Sequence, residues 1–98
     1  MGKSKHDQIA ERIAHKERTS YNKGRGPDIK TSSRVIEVAT HDLKDSIRQL
    51  RGVQKPRYLA TSSEMVKTAM DLTKGTKIGV MGPTGHIRKR ASGGGRGR

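Results

Sequence analysis

The sequence predicts an α/β domain in which a small mixed sheet of four or five strands is flanked by about three helices. Two observations carry this expectation. Short β-branched and apolar runs at Arg34–Ala39, Arg57–Thr61 and Thr76–Met81 alternate with segments whose apolar residues recur at helical spacing. Strands separated by helices imply right-handed crossovers, a partly parallel sheet and cover on both of its faces.

Each element has a local reason. From Lys5 to about Glu17, Ile9, Ala10, Ile13 and Ala14 form one stripe of an amphipathic helix. The polar, glycine-bearing residues 18–26 leave room for a short strand around Ser20–Asn22 and then a flexible loop. Arg34–Ala39 reads as a strand. Thr40 is placed to cap a second helix running to about Arg51, with Asp42 in its first turn and Gly52 as its stop. Leu43, Ile47 and Leu50 give that helix its apolar face. After Pro56, Arg57–Thr61 is the next strand. Ser62 or Ser63 caps a third helix with Glu64 in its first turn, and Met65, Val66, Ala69, Met70 and Leu72 form its buried face up to Gly75. Thr76–Met81 is the last core strand. Gly82–Gly85 turns the chain, and His86–Arg88 returns as a short edge strand. Residues 1–88 are expected to form a single domain and 89–98 a disordered basic Gly/Arg tail.

Composition narrows the function classes. The 98 residues are 29% hydrophobic and include neither Phe nor Trp, so the core is small and built from Ile, Val, Leu, Met and Ala. Lys and Arg number 22 against nine acids, a net charge of +13 that draws polyanions. Asp71 is the last acid, so the chain beyond it is cationic without opposition. Nucleic acid is the expected partner; solubility alone is the plainer explanation of the charge. No apolar run approaches the roughly 20 residues needed to cross a bilayer, so no membrane span or secretory leader is expected. The lack of Cys excludes disulfides and thiolate metal sites and fits a cytoplasmic protein. The four His show no zinc spacing. With only Tyr21 and Tyr58, there is no aromatic platform for single-stranded bases, which favours contacts to the backbone of duplex or branched DNA.

The chemistry concentrates in Gly26-Pro27-Asp28-Ile29 and Val35-Ile36-Glu37-Val38-Ala39. The intervening Lys30-Thr31-Ser32-Ser33 reads as a turn, and a hairpin centred there sets Asp28 directly opposite Glu37. Directly opposed side chains have Cβ atoms roughly 4.5–5.5 Å apart, and two carboxylates there repel. A positive side chain or a metal ion must relieve them. The plainer reading is an ion pair with Lys or Arg.

These residues resemble the PD-(D/E)XK nuclease superfamily, in its Mrr-like and Holliday-junction-resolvase-like branch. Pro27-Asp28 is similar to the family's first element and Val-Ile-Glu37-Val to its second. The resemblance continues through Ile47-Arg48-Gln49-Leu50-Arg51-Gly52, Tyr58–Ser63 and Ile78–Met81, covering roughly residues 7–82. It implies a restriction-endonuclease-like fold and a Mg²⁺- or Mn²⁺-dependent endonuclease. It also implies that Asp28 and Glu37 hold the metal, that Glu11 supports them and that Gln49 helps orient the site. Nucleases of this kind that cut duplex DNA commonly act as homodimers. The chain departs from the pattern at Ala39, where the family carries lysine two residues after the second acid. Lys30 or Lys44 then has to stand in, or the fold survives as a non-catalytic nucleic-acid binder, associated with RNA or the ribosome. Lys23, Arg25 and Arg34 would hold phosphates around the cleft. Arg88, Lys89, Arg90, Arg96 and Arg98 would track a backbone without reading sequence.

Overall fold

The structure, a computed structural model, describes residues 4–19, 28–53 and 55–91. The expected strand at Ser20–Asn22, the candidate residues Lys23, Arg25, Arg96 and Arg98, and most of the tail lie outside them.

The element order is α1 (Lys5–Lys16), β1 (Ile29–Lys30), β2 (Val35–Val38), α2 (Leu43–Leu50), β3 (Arg57–Ala60), a 3-10 turn (Ser63–Met65), α3 (Val66–Leu72), β4 (Gly79–Met81) and β5 (Ile87–Lys89). All five strands form one mixed sheet in the order β1-β2-β3-β4-β5. The inner pairs β2–β3 and β3–β4 are parallel, and the edge pairs β1–β2 and β4–β5 are antiparallel. The expected α/β architecture is therefore present, with five strands and three helices.

Alternation along the strands assigns the two faces. Ile36, Val38, Tyr58, Ala60 and Met81 pack with Ile9, Ala10, Ile13 and Ala14 of α1. Val35, Leu59 and Val80 point the other way, onto Leu43, Ile47 and Leu50 of α2 and Val66 and Ala69 of α3. The two parallel crossovers thus lay α2 and α3 on one face, and α1 closes the other. Burial on both sides is why the inner strands read as continuous apolar runs.

Three boundaries differ from the sequence expectation. Thr40 does not cap α2. Ala39 N–H still donates to Ala60 at 2.9 Å, so the ladder outlasts the strand and the chain must turn before a helix can start. Asp42 makes that turn at φ 51° and sits at the cap position without a side-chain cap bond. Asp tolerates this left-handed conformation better than most residues. In α3 the buried stripe is centred on Ala69 and Thr73, and Met70 falls beyond its edge, 37% exposed. Finally, β5 runs through Lys89 and the described chain continues to Ala91, past the expected domain limit at residue 88.

α1 starts where Ser4 accepts the Asp7 N–H at 3.1 Å. The β4–β5 connection closes on Gly85 N–H to Gly82 carbonyl at 3.0 Å, with Gly85 in the left-handed region at φ 85°.

Candidate functional site

The hairpin places the acid pair as expected. Ile29 pairs with Ile36 and Lys30 with Val35, so the next positions in the same register are Asp28 and Glu37. The tight turn supports this. Thr31 N–H donates to the Arg34 carbonyl at 2.9 Å, making 31–34 a hydrogen-bonded pair. Strict alternation then makes 28–37 a non-hydrogen-bonded pair, the kind in which facing side chains approach most closely. The Thr31 hydroxyl holds the turn by accepting the N–H groups of Ser33 and Arg34.

Asp28 does more than face its partner. Its Oδ2 accepts the Val38 N–H at 2.9 Å. The same oxygen lies 3.4 Å from His6 Nε2, and His6 Nδ1 is 3.3 Å from Asp7 Oδ1. Glu37 is half-buried. Burial, and next the charge of Asp28, push its carboxyl up to about 7, with Asp45 adding to the rise; the Asp28 backbone amide and His6 oppose it. Glu37 is thus poised to hold a proton near neutrality.

Helix α2 closes one side of this site. Asp45 comes close enough to act on Glu37, and Gln49 Nε2 donates to Asp45 Oδ2 at 3.0 Å one turn later. Gln49 therefore reaches the acids through Asp45. Lys44 lies on the other flank of α2, where it lines the groove against Thr68 and Leu72. Lys30 is two residues from Asp28 on β1 and so shares the face of the pair, diagonal to Glu37 and within a long side chain's reach. Of the two substitute lysines, Lys30 shares the strand face of the acids and Lys44 does not, but neither amine is among the charges that act on Glu37. Ala39 is 4% exposed and packs in the core beneath α2 and α3. A lysine there would have to displace Leu43 or Val66. Glu11 stands on the solvent-facing side of α1.

His6 is the member that sequence reasoning missed. The signal was there: three and four residues before Ile9 and Ala10, it prolongs the buried stripe of α1 by one turn. Glu17 prolongs the stripe at the other end and lies 3.8 Å from Arg34, which also stacks over Tyr58 at 5.4 Å. Arg34 is thus held inside the fold. Lys89 is held more firmly, donating to the Thr73 and Ile78 carbonyls at 2.7 and 2.9 Å, and burial pushes its ammonium pKa down. Lys89→Ala is expected to cost about 1–2 kcal/mol, whereas exposed Arg88→Ala and Arg90→Ala stay within about 0.5 kcal/mol. Thermal denaturation compares the three; equal effects would remove Lys89 from the structural set.

Among the described residues no three His, Asp or Glu side chains converge as a metal-binding group. The donor set on the hairpin is instead a carboxylate pair. That suits Mg²⁺, which is bound through one or two carboxylates and leaves its other positions to water and substrate phosphate. Among the described residues no helix is long and apolar enough to cross a membrane. No protein-family model, curated protein or solved structure matches the chain.

Proposed function

We propose that this chain binds duplex or branched DNA and hydrolyses its phosphodiester backbone in a Mg²⁺- or Mn²⁺-dependent reaction at Asp28 and Glu37, on a restriction-endonuclease-like fold. The observation that carries the reading is the register-matched carboxylate pair, with Glu37 raised to about 7, in a protein of net charge +13. A bound divalent ion supplies charge to the phosphate and lowers the pKa of its water. Asp28, fixed by the Val38 amide, and Glu37, once it has lost its proton, would hold the ion. His6 orients Asp28 from behind, and Gln49 fixes Asp45 beside Glu37. Lys30 takes the part of the missing lysine, holding the attacking water or the scissile phosphate from the same face. The resemblance to the PD-(D/E)XK superfamily supports the roles of Asp28, Glu37 and Gln49, because the two acids stand in the family's order on a hairpin followed by helix–strand–helix–strand, although the motif lysine is replaced by Ala39.

A second reading is favoured by one observation. Ala39 is buried in the core, so the family's lysine position is closed to a cation. The non-catalytic nucleic-acid binder on the same fold accounts for this without a substitute.

Incubation with supercoiled plasmid and a four-way junction, with Mg²⁺ or Mn²⁺, decides between them. Cleavage by the wild type should fall at least tenfold in Asp28→Ala and in Lys30→Ala, about 1.4 kcal/mol or more of transition-state stabilisation. A wild type that binds both substrates but cuts neither with either metal defeats the enzyme reading and leaves the binder.

A further inference from the structure

We propose that the flank of α2 facing α3 is a phosphate-binding surface for duplex DNA, formed by Lys44, Arg48 and Arg51. The inference rests on the nucleic-acid reading above and deepens it by locating the backbone.

The three cations stand at i, i+4 and i+7 of one helix whose buried face is Leu43, Ser46, Ile47 and Leu50. At about 100° per residue they fall within about 60° of one another, and Asp45 and Gln49 follow on the side next to Arg48. All three line one open groove of about 260 Å³, with Ile47 and Leu72 as its apolar floor and no acid in its lining. Arg48 is 3.5 Å from Asp45, but these side chains are 75% and 46% exposed, so the pair is weak and screened. From Lys44 to Arg51 the helix rises about 10.5 Å. One DNA strand rises about 3.4 Å per phosphate along the duplex axis and its phosphates lie farther apart along the backbone, so the stripe with its long side chains can reach two or three successive phosphates.

Helix stability does not explain the pattern. Arg48 and Arg51 near the C-terminus of α2 suit its dipole, but Lys44 in the first turn stands against it. Several of the other cations are already engaged. Arg34 and Lys89 are engaged inside the fold, and Lys5 bridges to Glu64 at 3.3 Å. Tyr58 is buried, so it gives single-stranded bases nothing to stack on. The opposite flank of α2 adjoins Glu37. A backbone lying along the cations would therefore run about one helix diameter, roughly 10 Å, from the acid pair.

Fluorescence anisotropy of the full chain on a 20-base-pair DNA duplex, over a range of NaCl, tests the surface. The Lys44→Ala/Arg48→Ala/Arg51→Ala variant should bind at least tenfold more weakly and lose about 2.7 from its log–log salt slope, 0.9 per phosphate contact. The charge-matched Lys67→Ala/Lys74→Ala/Lys77→Ala variant should change affinity less than about threefold. Lys44→Gln alone, which cannot weaken the helix through its dipole, should lower the slope by about 0.9 and so keeps the test valid if the triple variant unfolds. Equal losses in both triple variants, or an unchanged slope in Lys44→Gln, overturn the proposal in favour of bulk charge. Loss of duplex RNA binding with DNA binding intact overturns the choice of DNA. A wild type that binds no duplex overturns the nucleic-acid reading and this surface together, whereas a binding wild type with an unaffected α2 variant overturns the surface alone.

Discussion

Gly79→Ala is expected to destabilise the protein by about 3 kcal/mol or more and to lower Tm by more than about 10 °C. A Cβ built on Gly79 would lie 2.6 Å from each of Ala91 N, Lys89 O and Tyr58 Cδ2. Two of these atoms are backbone, so no rotamer change relieves the overlap. β5 would have to move off β4, and the Lys89 bonds to Thr73 and Ile78 would go with it. Tyr58 would be driven into the core it shares with α1. Gly82→Ala is the matched control, since a Cβ there meets nothing within 4 Å. Equal melting temperatures for the two variants would show that β5 does not cross Gly79 in solution.

That glycine also shows what the sequence could reveal. Gly82 and Gly85 belong to the turn that the sequence predicts after the last core strand, and Gly79 lies inside that strand. Gly79 does another job: it clears a path for a strand eight or more residues later. Such a close approach is a non-local event that no spacing records. Local rules worked where the cause was local. The hairpin register followed from a short polar turn between two apolar runs, and the helical stripes of α1 and α2 followed from their periods. They failed where tertiary packing decided the outcome. The start of α2 moved because Ala39 keeps pairing with Ala60. The basic segment around Lys89 reads as tail, whereas the Lys89 amine bonds the Thr73 and Ile78 carbonyls between α3 and β4. The acid pair was legible as a pair. Its sharing of His6, from a helix more than twenty residues earlier, and the raised carboxyl of Glu37 were not, because both depend on how α1 and α2 pack against the hairpin.

The proton affinity of Glu37 leads to the second large effect. Glu37→Gln is expected to leave stability nearly unchanged at pH 4.5 and to raise it by about 2–3 kcal/mol at pH 8 in the absence of divalent metal. The sign follows from linkage. With its carboxyl raised to about 7 in the fold, from an ordinary value of 4.5, Glu37 keeps its proton in the native state over a window in which the unfolded chain has released it. Native protein then binds more protons than unfolded, so wild-type stability falls as pH rises from about 4.5 to 7 and stays low above that. The full shift would amount to about 3 kcal/mol, at 1.36 per pH unit, and partial solvent access reduces it. Glutamine keeps the shape, carries no charge against Asp28 and has no such window. Adding Mg²⁺ at pH 8 should narrow the gap from the wild-type side, because an ion that binds only the folded carboxylate pair stabilises by about 2.7 kcal/mol at a hundredfold excess over Kd. Urea denaturation of both proteins at pH 4.5 and 8, with and without the ion, separates the cases. A variant less stable than wild type at pH 8 would mean that Glu37 is ionised and held by a cationic side chain, and the hairpin would then be a structural ion pair. A variant more stable at pH 8, with wild type gaining on Mg²⁺ and Glu37→Gln not, would mean that the fold holds two acids together at a cost only a bound cation removes.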